Sequence, residues 1–286
     1  MRALWSLIVI GTCCAAPIAA AAPRDGKQLL LWAKAMNADR YQFALDEGAQ
    51  ILPTSDGRSF CLLWYPIPLR TVSPKPPLIV TLHGHRSFAF DEFFLWQPYA
   101  ERHGYGVLAV QWWLGGGDDA RDYYAPQELY PLLAKILKDE QIDPGTAILH
   151  GFSRGAANTY ALTALDRASG AARFGLTIAN AGGVSSDFPP NEQIGQGVFG
   201  EQAFAGTHWV LFCGGLDPHP ERDGCPAMRR TADWLTGLGG TIDRLIEDPQ
   251  AKHGGFHRTA AHVNAALDVA ARLLPDARAA QRGDGT

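Results

Sequence analysis

Two kinds of segment alternate along this chain. Short apolar runs bounded by turn residues have the length and near-continuous hydrophobicity of strands in a parallel sheet: Leu78 to Leu82, Gly106 to Trp112, Ala147 to His150, Phe174 to Ala179, Trp209 to Phe212 and Thr241 to Ile246. Between them, Asp91 to His103, Pro126 to Asp139, Ser153 to Leu165, Pro226 to Leu238 and His257 to Leu274 read as helices. Upstream, Gln28 to Met36 reads as a short amphipathic helix. Tyr41 to Leu52 and Arg58 to Ile67, divided by the turn Thr54-Ser55-Asp56-Gly57, read as an antiparallel hairpin, with a Pro-rich link from Pro74 to Pro77 after it. The alternation predicts an α/β fold: a mainly parallel central sheet with helices on both faces, entered by an N-terminal antiparallel hairpin. No repeat or internal boundary interrupts it. One domain is expected over 22–276, with a polar, fraying tail at 277–286. The segment Val184 to Gly206 is the only notable insertion and is too short for a large cap domain.

The first residues change the picture of where the protein works. Met1-Arg2, the apolar run Ala3 to Ile10 and the alanine-rich stretch to Ala22-Pro23 have the three-part layout of a secretory signal peptide, with cleavage after Ala21. The apolar run is short of the roughly 20 residues that a membrane-spanning helix needs. The mature chain is therefore expected to be secreted or periplasmic. Thr12 before Cys13 does not fit a lipoprotein signal. Composition then excludes other classes. Hydrophobic residues make up 47% and charged residues 19%, too apolar for a disordered chain. With 25 Lys+Arg against 29 Asp+Glu, no broad positive field exists to hold nucleic acid or an anionic membrane. Cys61, Cys213 and Cys225 remain in the mature chain, an odd number for an oxidising compartment. Either Cys213 and Cys225 are bridged across Gly214 to Pro218, or both are buried free thiols.

Candidate chemistry gathers where the apolar runs end. Gly151-Phe152-Ser153-Arg154-Gly155 follows one run and opens a helix, the setting of a G-x-S-x-G turn whose glycines give the serine room on a tight bend. A serine hydroxyl is a weak nucleophile at neutral pH and needs a base, and the base needs an orienting carboxylate. Asp217 stands on a turn just past Trp209 to Phe212, with Asp187 and Asp223 as rivals. His253 lies in the loop before the last helix and is placed to reach Ser153; His257 is its rival. The spacing His253-x-x-x-His257 also suits a metal, but the glycines between them and the missing glutamate argue against a zinc site, and no metal or organic cofactor is expected. Acyl transfer further needs backbone N–H donors for the developing oxyanion. Arg154, after the serine, supplies one, and His83-Gly84-His85-Arg86 the other, through His85 or, alternatively, Arg86. His83, at the strand end, reads as structural.

The order His-Gly, G-x-S-x-G, Asp, His on alternating strands and helices resembles the α/β-hydrolase superfamily from about Tyr41 to Leu274. The resemblance implies Ser153, Asp217 and His253 as a catalytic triad. Within the superfamily, the leader, the His-Gly pair after a Leu-Ile-Val-Thr strand and the lack of a large lid resemble secreted esterases of the polyhydroxyalkanoate-depolymerase and feruloyl-esterase kind. Arg154 and Ala156 depart from what those enzymes usually carry beside the nucleophile. A small-molecule or polymer-attached carboxylic ester is the expected substrate, with an amide, or a silent binding role, as alternatives. Trp112 and Trp113 end a strand at the same sheet edge as Ser153. They are candidates for an aromatic substrate wall, or for packing under the loop that carries Tyr123 and Tyr124. Arg154 suits either an anionic substrate group or a structural ion pair. The oligomeric state is not legible.

Overall fold

The computed structural model describes residues 22–185 and 188–274. The expected leader (1–21), the expected tail (277–286) and Asp187 lie outside the described residues. The helices are α1 (Gly26–Met36), α2 (Ala38–Asp46), α3 (Ala89–His103), α4 (Pro126–Asp139), α5 (Arg154–Ala168), α6 (Pro189–Gly195), α7 (Cys225–Gly237) and α8 (Ala260–Leu273). The strands are β1 (Gln50–Pro53), β2 (Phe60–Trp64), β3 (Leu78–Leu82), β4 (Gly106–Val110), β5 (Ala147–Phe152), β6 (Phe174–Asn180), β7 (His208–Gly214) and β8 (Thr241–Asp248). They form one sheet in the order β1-β2-β4-β3-β5-β6-β7-β8. β1 runs antiparallel to β2 and β2 antiparallel to β4; the remaining pairs are parallel. Among the described residues no helix is long and apolar enough to cross a membrane.

Five of the six apolar runs become interior strands because both of their faces are covered; the sixth, β8, forms an edge of the sheet and is only partly buried. Along β7 the side chains alternate: Trp209, Leu211 and Cys213 pack with Tyr160 of α5 and Met228 and Leu235 of α7, whereas Val210 and Phe212 join the opposite core with Phe256 and α8. β3 and β4 are buried at every position.

Two expectations need correcting. Tyr41 to Asp46 is helical, and only Gln50–Pro53 forms the first arm of the hairpin. Aromatic residues there favour a strand reading, but the rings of Tyr41 and Phe43 pack on Phe90, Phe93 and Phe94 of α3, and that tertiary contact decides for helix. The last helix begins at Ala260, and Phe256–Arg258 form a separate 3-10 turn. The 184–206 segment carries the short α6, which packs against α5. Cys213 and Cys225 are bonded to each other, with Cα atoms 5.0 Å apart, and Cys61 is a buried free thiol.

Candidate active site

The parallel strands place four loops at one edge of the sheet, the carboxyl edge where such folds carry their chemistry. At the end of β5 the chain turns sharply into α5, and Ser153 occupies the corner with φ 54° and ψ −117°, a region rarely adopted by residues other than glycine. The turn is tight enough to forbid side chains on either flank. A Cβ on Gly151 would lie 2.3 Å from the Gly155 carbonyl oxygen, and one on Gly155 would lie 2.4 Å from that of Leu82. The Ser153 N–H donates to the Asn180 carbonyl oxygen at 2.8 Å, tying the corner to β6.

The loops after β7 and β8 are stitched together. The Gly215 amide donates to the Asp248 carbonyl oxygen at 2.8 Å and the Leu216 amide to that of Ala251 at 2.9 Å. The Cys213–Cys225 bridge closes the β7 loop on its other side. This framework sets Asp217 facing His253. The Asp217 carboxylate is buried; its Oδ1 accepts the His219 amide at 2.8 Å, and its Oδ2 accepts from His253 Nδ1 at 2.7 Å. With the Nδ1 proton committed to the carboxylate, Nε2 presents its lone pair to the Ser153 hydroxyl, 2.8 Å away. Ser153, His253 and Asp217 thus form one continuous hydrogen-bonded chain.

The rival residues stand elsewhere or are engaged. The His257 ring packs against Trp96, Phe256 and His150, and burial pushes its imidazole down to about 3. Asp223 lies near Asp217 and His253, all three offering an oxygen or nitrogen within 4.8 Å of one another. Its carboxylate is held by Arg222 at 2.7 Å, however, and both His253 nitrogens are already engaged.

The His83-Gly84-His85-Arg86 loop borders Ser153 on the β3 side. His83 is fully buried: its Nδ1 donates to the Gly84 carbonyl oxygen at 2.8 Å, its Nε2 faces the Trp112 amide at 3.4 Å, and burial pushes it down to about 4. It pins the strand end, as its position suggests. The Arg86 amide is corrected as an oxyanion donor, because it already donates to the Tyr123 hydroxyl at 2.9 Å. The amides of His85 and of Arg154, the first residue of α5, have no protein acceptor among the described residues. Trp112 and Trp113 also differ from the substrate-wall expectation. Each is only 2% exposed; their indole N–H groups donate to the carbonyl oxygens of His83 and Gly117, and their rings pack on Tyr123, Trp32 and Phe88. They support the loop from beneath.

Sequence reasoning missed two sets of residues. Tyr123 fixes the His83–Arg86 loop, since its hydroxyl accepts a hydrogen bond from the Arg86 amide and lies 3.2 Å from His85 Nδ1. Beneath the corner, Thr81 donates to Glu92 Oε2 at 2.8 Å and contacts His150 Nδ1 at 2.8 Å, which also accepts from Trp96 Nε1 at 3.0 Å. Burial pushes His150 down to about 3 and raises the Glu92 carboxyl, favouring the uncharged form of both. A histidine ending an otherwise apolar strand was the signal for this cluster.

No protein-family model matches the chain, and no curated protein matches its sequence. Solved structures do. A hyperthermophilic esterase from the archaeon Pyrobaculum calidifontis matches with a TM-score of 0.55 and 15% identity, over 86% of this chain and 94% of that one. The esterase LipW from Mycobacterium marinum matches with a TM-score of 0.58 and 16% identity, over 86% and 89%. A Bacillus cereus carboxylesterase matches with a TM-score of 0.54 and 15% identity, over 82% and 100%. Together with the strand order and the strained corner after β5, these likenesses give the chain the α/β-hydrolase fold.

Proposed function

We propose that this chain is a serine hydrolase that cleaves carboxylic esters through an acyl-enzyme. The observation that carries the reading is the chain of hydrogen bonds from Asp217 through His253 to Ser153, at 2.7 and 2.8 Å. His253 Nε2 takes the hydroxyl proton as Ser153 Oγ attacks the ester carbonyl carbon. Asp217 holds the ring in the required tautomer and stabilises the imidazolium. The amides of Arg154 and His85 receive the oxyanion, each worth roughly 3 kcal/mol in the transition state. His253 then returns the proton to the leaving alkoxide. A water, activated by the same histidine, attacks the acyl-enzyme and frees the acid.

The structural neighbours are themselves esterases, which accords with this chemistry. The finer resemblance to polyhydroxyalkanoate depolymerases and feruloyl esterases rests on the motifs of the sequence alone, and we extend it only to secretion. The leader at residues 1–21 would deliver the mature enzyme to the periplasm or the medium, where the Cys213–Cys225 bridge is kept oxidised. The test is hydrolysis of short p-nitrophenyl esters beside the matching p-nitroanilides. Ester turnover that is lost in Ser153→Ala is expected; turnover of the anilides at comparable kcat/KM would reassign the enzyme as an amidase, and turnover of neither would sink the hydrolase reading.

A further inference from the structure

We infer that the rim of this site recognises esters carrying a second, ionised carboxyl group, and that the Arg154 side chain is the group that reads it. The inference rests on the serine-hydrolase reading above. Arg154 follows Ser153 directly, so its side chain springs from the residue beside the attacking oxygen. Its guanidinium is held in place by a carbonyl oxygen, a ring nitrogen and an aromatic face. Nη1 donates to the Asp118 carbonyl oxygen at 3.2 Å and faces His85 Nδ1 at 3.4 Å, and the guanidinium carbon lies 3.8 Å over the Tyr123 ring. These contacts fix where the fork sits and neutralise none of its charge. Arg154 makes no ion pair among the described residues, and the carboxylate of Asp118 is engaged by His85 Nε2 at 3.4 Å and Arg86 Nε at 3.5 Å.

Around Arg154 two guanidinium groups, its own and that of Arg86, stand against the one carboxylate of Asp118, while Asp119 on the same loop is paired with Arg121 at 2.7 Å and Asp122 accepts the Asp119 amide. The rim is also accessible: the side chains of His85, Arg86 and Asp118 are each about half exposed. The same stretch supplies the His85 amide, so an ester seated with its carbonyl oxygen on the two amides must run one of its arms along this rim. A carboxylate on that arm meets a planar fork already oriented for it. An uncharged isostere offers the fork nothing comparable. The substrate class is thus the monoester of a dicarboxylic acid, or the ester of a hydroxy acid, according to which arm lies on the rim.

The two are separated by isosteric pairs, each differing only in a carboxylate replaced by a carboxamide. Monomethyl glutarate against methyl glutaramate puts the charge on the acyl side; acetoxyacetate against acetoxyacetamide puts it on the alcohol side. We expect the charged member of one pair to lead by about tenfold or more in kcat/KM, mainly through KM, as for a charge-assisted contact made in the ground state as well as the transition state. The lead should shrink in about 0.5 M salt, because the site is solvent-exposed. Arg154→Gln should erase the lead and Asp118→Asn should enlarge it, whereas a strut would change both members of a pair alike. Wild-type protein that turns over p-nitrophenyl esters but gives neither charged ester an advantage overturns the inference and leaves the esterase standing. A lead that survives in Arg154→Gln also overturns it. Failure on every ester, p-nitrophenyl substrates included, removes the hydrolase reading and this inference together.

Discussion

A carboxyl group, an imidazole and an aliphatic hydroxyl meet at two neighbouring places among the described residues, linked through β5, which carries His150 and leads to Ser153. At the sheet edge they are Asp217, His253 and Ser153; beneath it they are Glu92, His150 and Thr81. In the edge set the acid and the hydroxyl use opposite nitrogens of the ring, so a proton taken at Nε2 is balanced by the carboxylate at Nδ1. In the buried set Thr81 lies 2.8 Å, Trp96 Nε1 3.0 Å and Glu92 Oε2 3.4 Å from the same Nδ1. That ring has no path along which to pass a proton from hydroxyl to acid. The His253 side chain keeps 27% of its surface exposed, while that of His150 keeps none. The same three groups therefore have the geometry of a proton relay or of an inert brace, depending on which ring atoms they share and on whether water can reach them.

The largest expected effect separates the two sets outright. Ser153→Ala and His253→Ala should each lower kcat on p-nitrophenyl esters by about 10⁴ to 10⁶, and Asp217→Asn by about 10⁴, with little change in urea midpoint. Thr81→Val should leave the esterase within about tenfold of wild type; a loss as deep as that of Ser153→Ala would show that the two sets act as one. Next comes the β7 loop, whose bridge spans a sequence separation of 12. Replacing Cys213 and Cys225 by serine should cost about 3 kcal/mol in urea unfolding and lower kcat as well, because the loop it closes carries Asp217. His150→Leu, which strands the Trp96 Nε1 donor in the interior, should cost about 2 kcal/mol by the same measurement.

The smallest effect lies in the pH dependence of stability. His83, His150 and His257 are pushed down to about 4, 3 and 3 in the folded protein, against 6.5 when unfolded. The unfolded chain therefore binds more protons below pH 6.5, so this contribution is complete above that pH and is lost as the pH falls toward 3. Between pH 7 and pH 6 each histidine accounts for something under about 1 kcal/mol. Glu92, which faces His150 and is raised by burial, acts in the opposite sense: it favours the folded state at low pH and loses that effect as the pH rises through its raised value. The urea midpoint should fall from pH 7 to pH 6, and by less in His150→Leu than in wild type. An identical fall in both would mean that His150 is not held neutral.

What could be read from the residues alone divides along the same line. Ser153 announces itself because the strained corner admits only glycine at positions 151 and 155, and a local steric demand leaves a local pattern. The interior strands are legible for a related reason: burial on both faces requires unbroken apolar runs. Asp217 and His253 are picked out by their place after late strands. The helix at Ala38–Asp46 was hidden because its Tyr41 and Phe43 look like strand residues until α3 is packed against them. Trp112 and Trp113 end their strand at the right edge, yet no sequence pattern tells that their rings turn inward. The capture of the Arg86 amide by Tyr123, 37 residues away, is likewise a fact of tertiary structure. So is the meeting of Glu92 with His150.

The most direct test of the comparison is the intact mass of the mature protein after fluorophosphonate treatment, with peptide mapping of the adduct, for wild type, Ser153→Ala and Thr81→Val. A single adduct on Ser153 in wild type and in Thr81→Val, absent from Ser153→Ala, is the expected result. A wild-type protein that takes up no label, or carries it on a residue other than Ser153, would contradict the assignment of the edge chain as the reactive one.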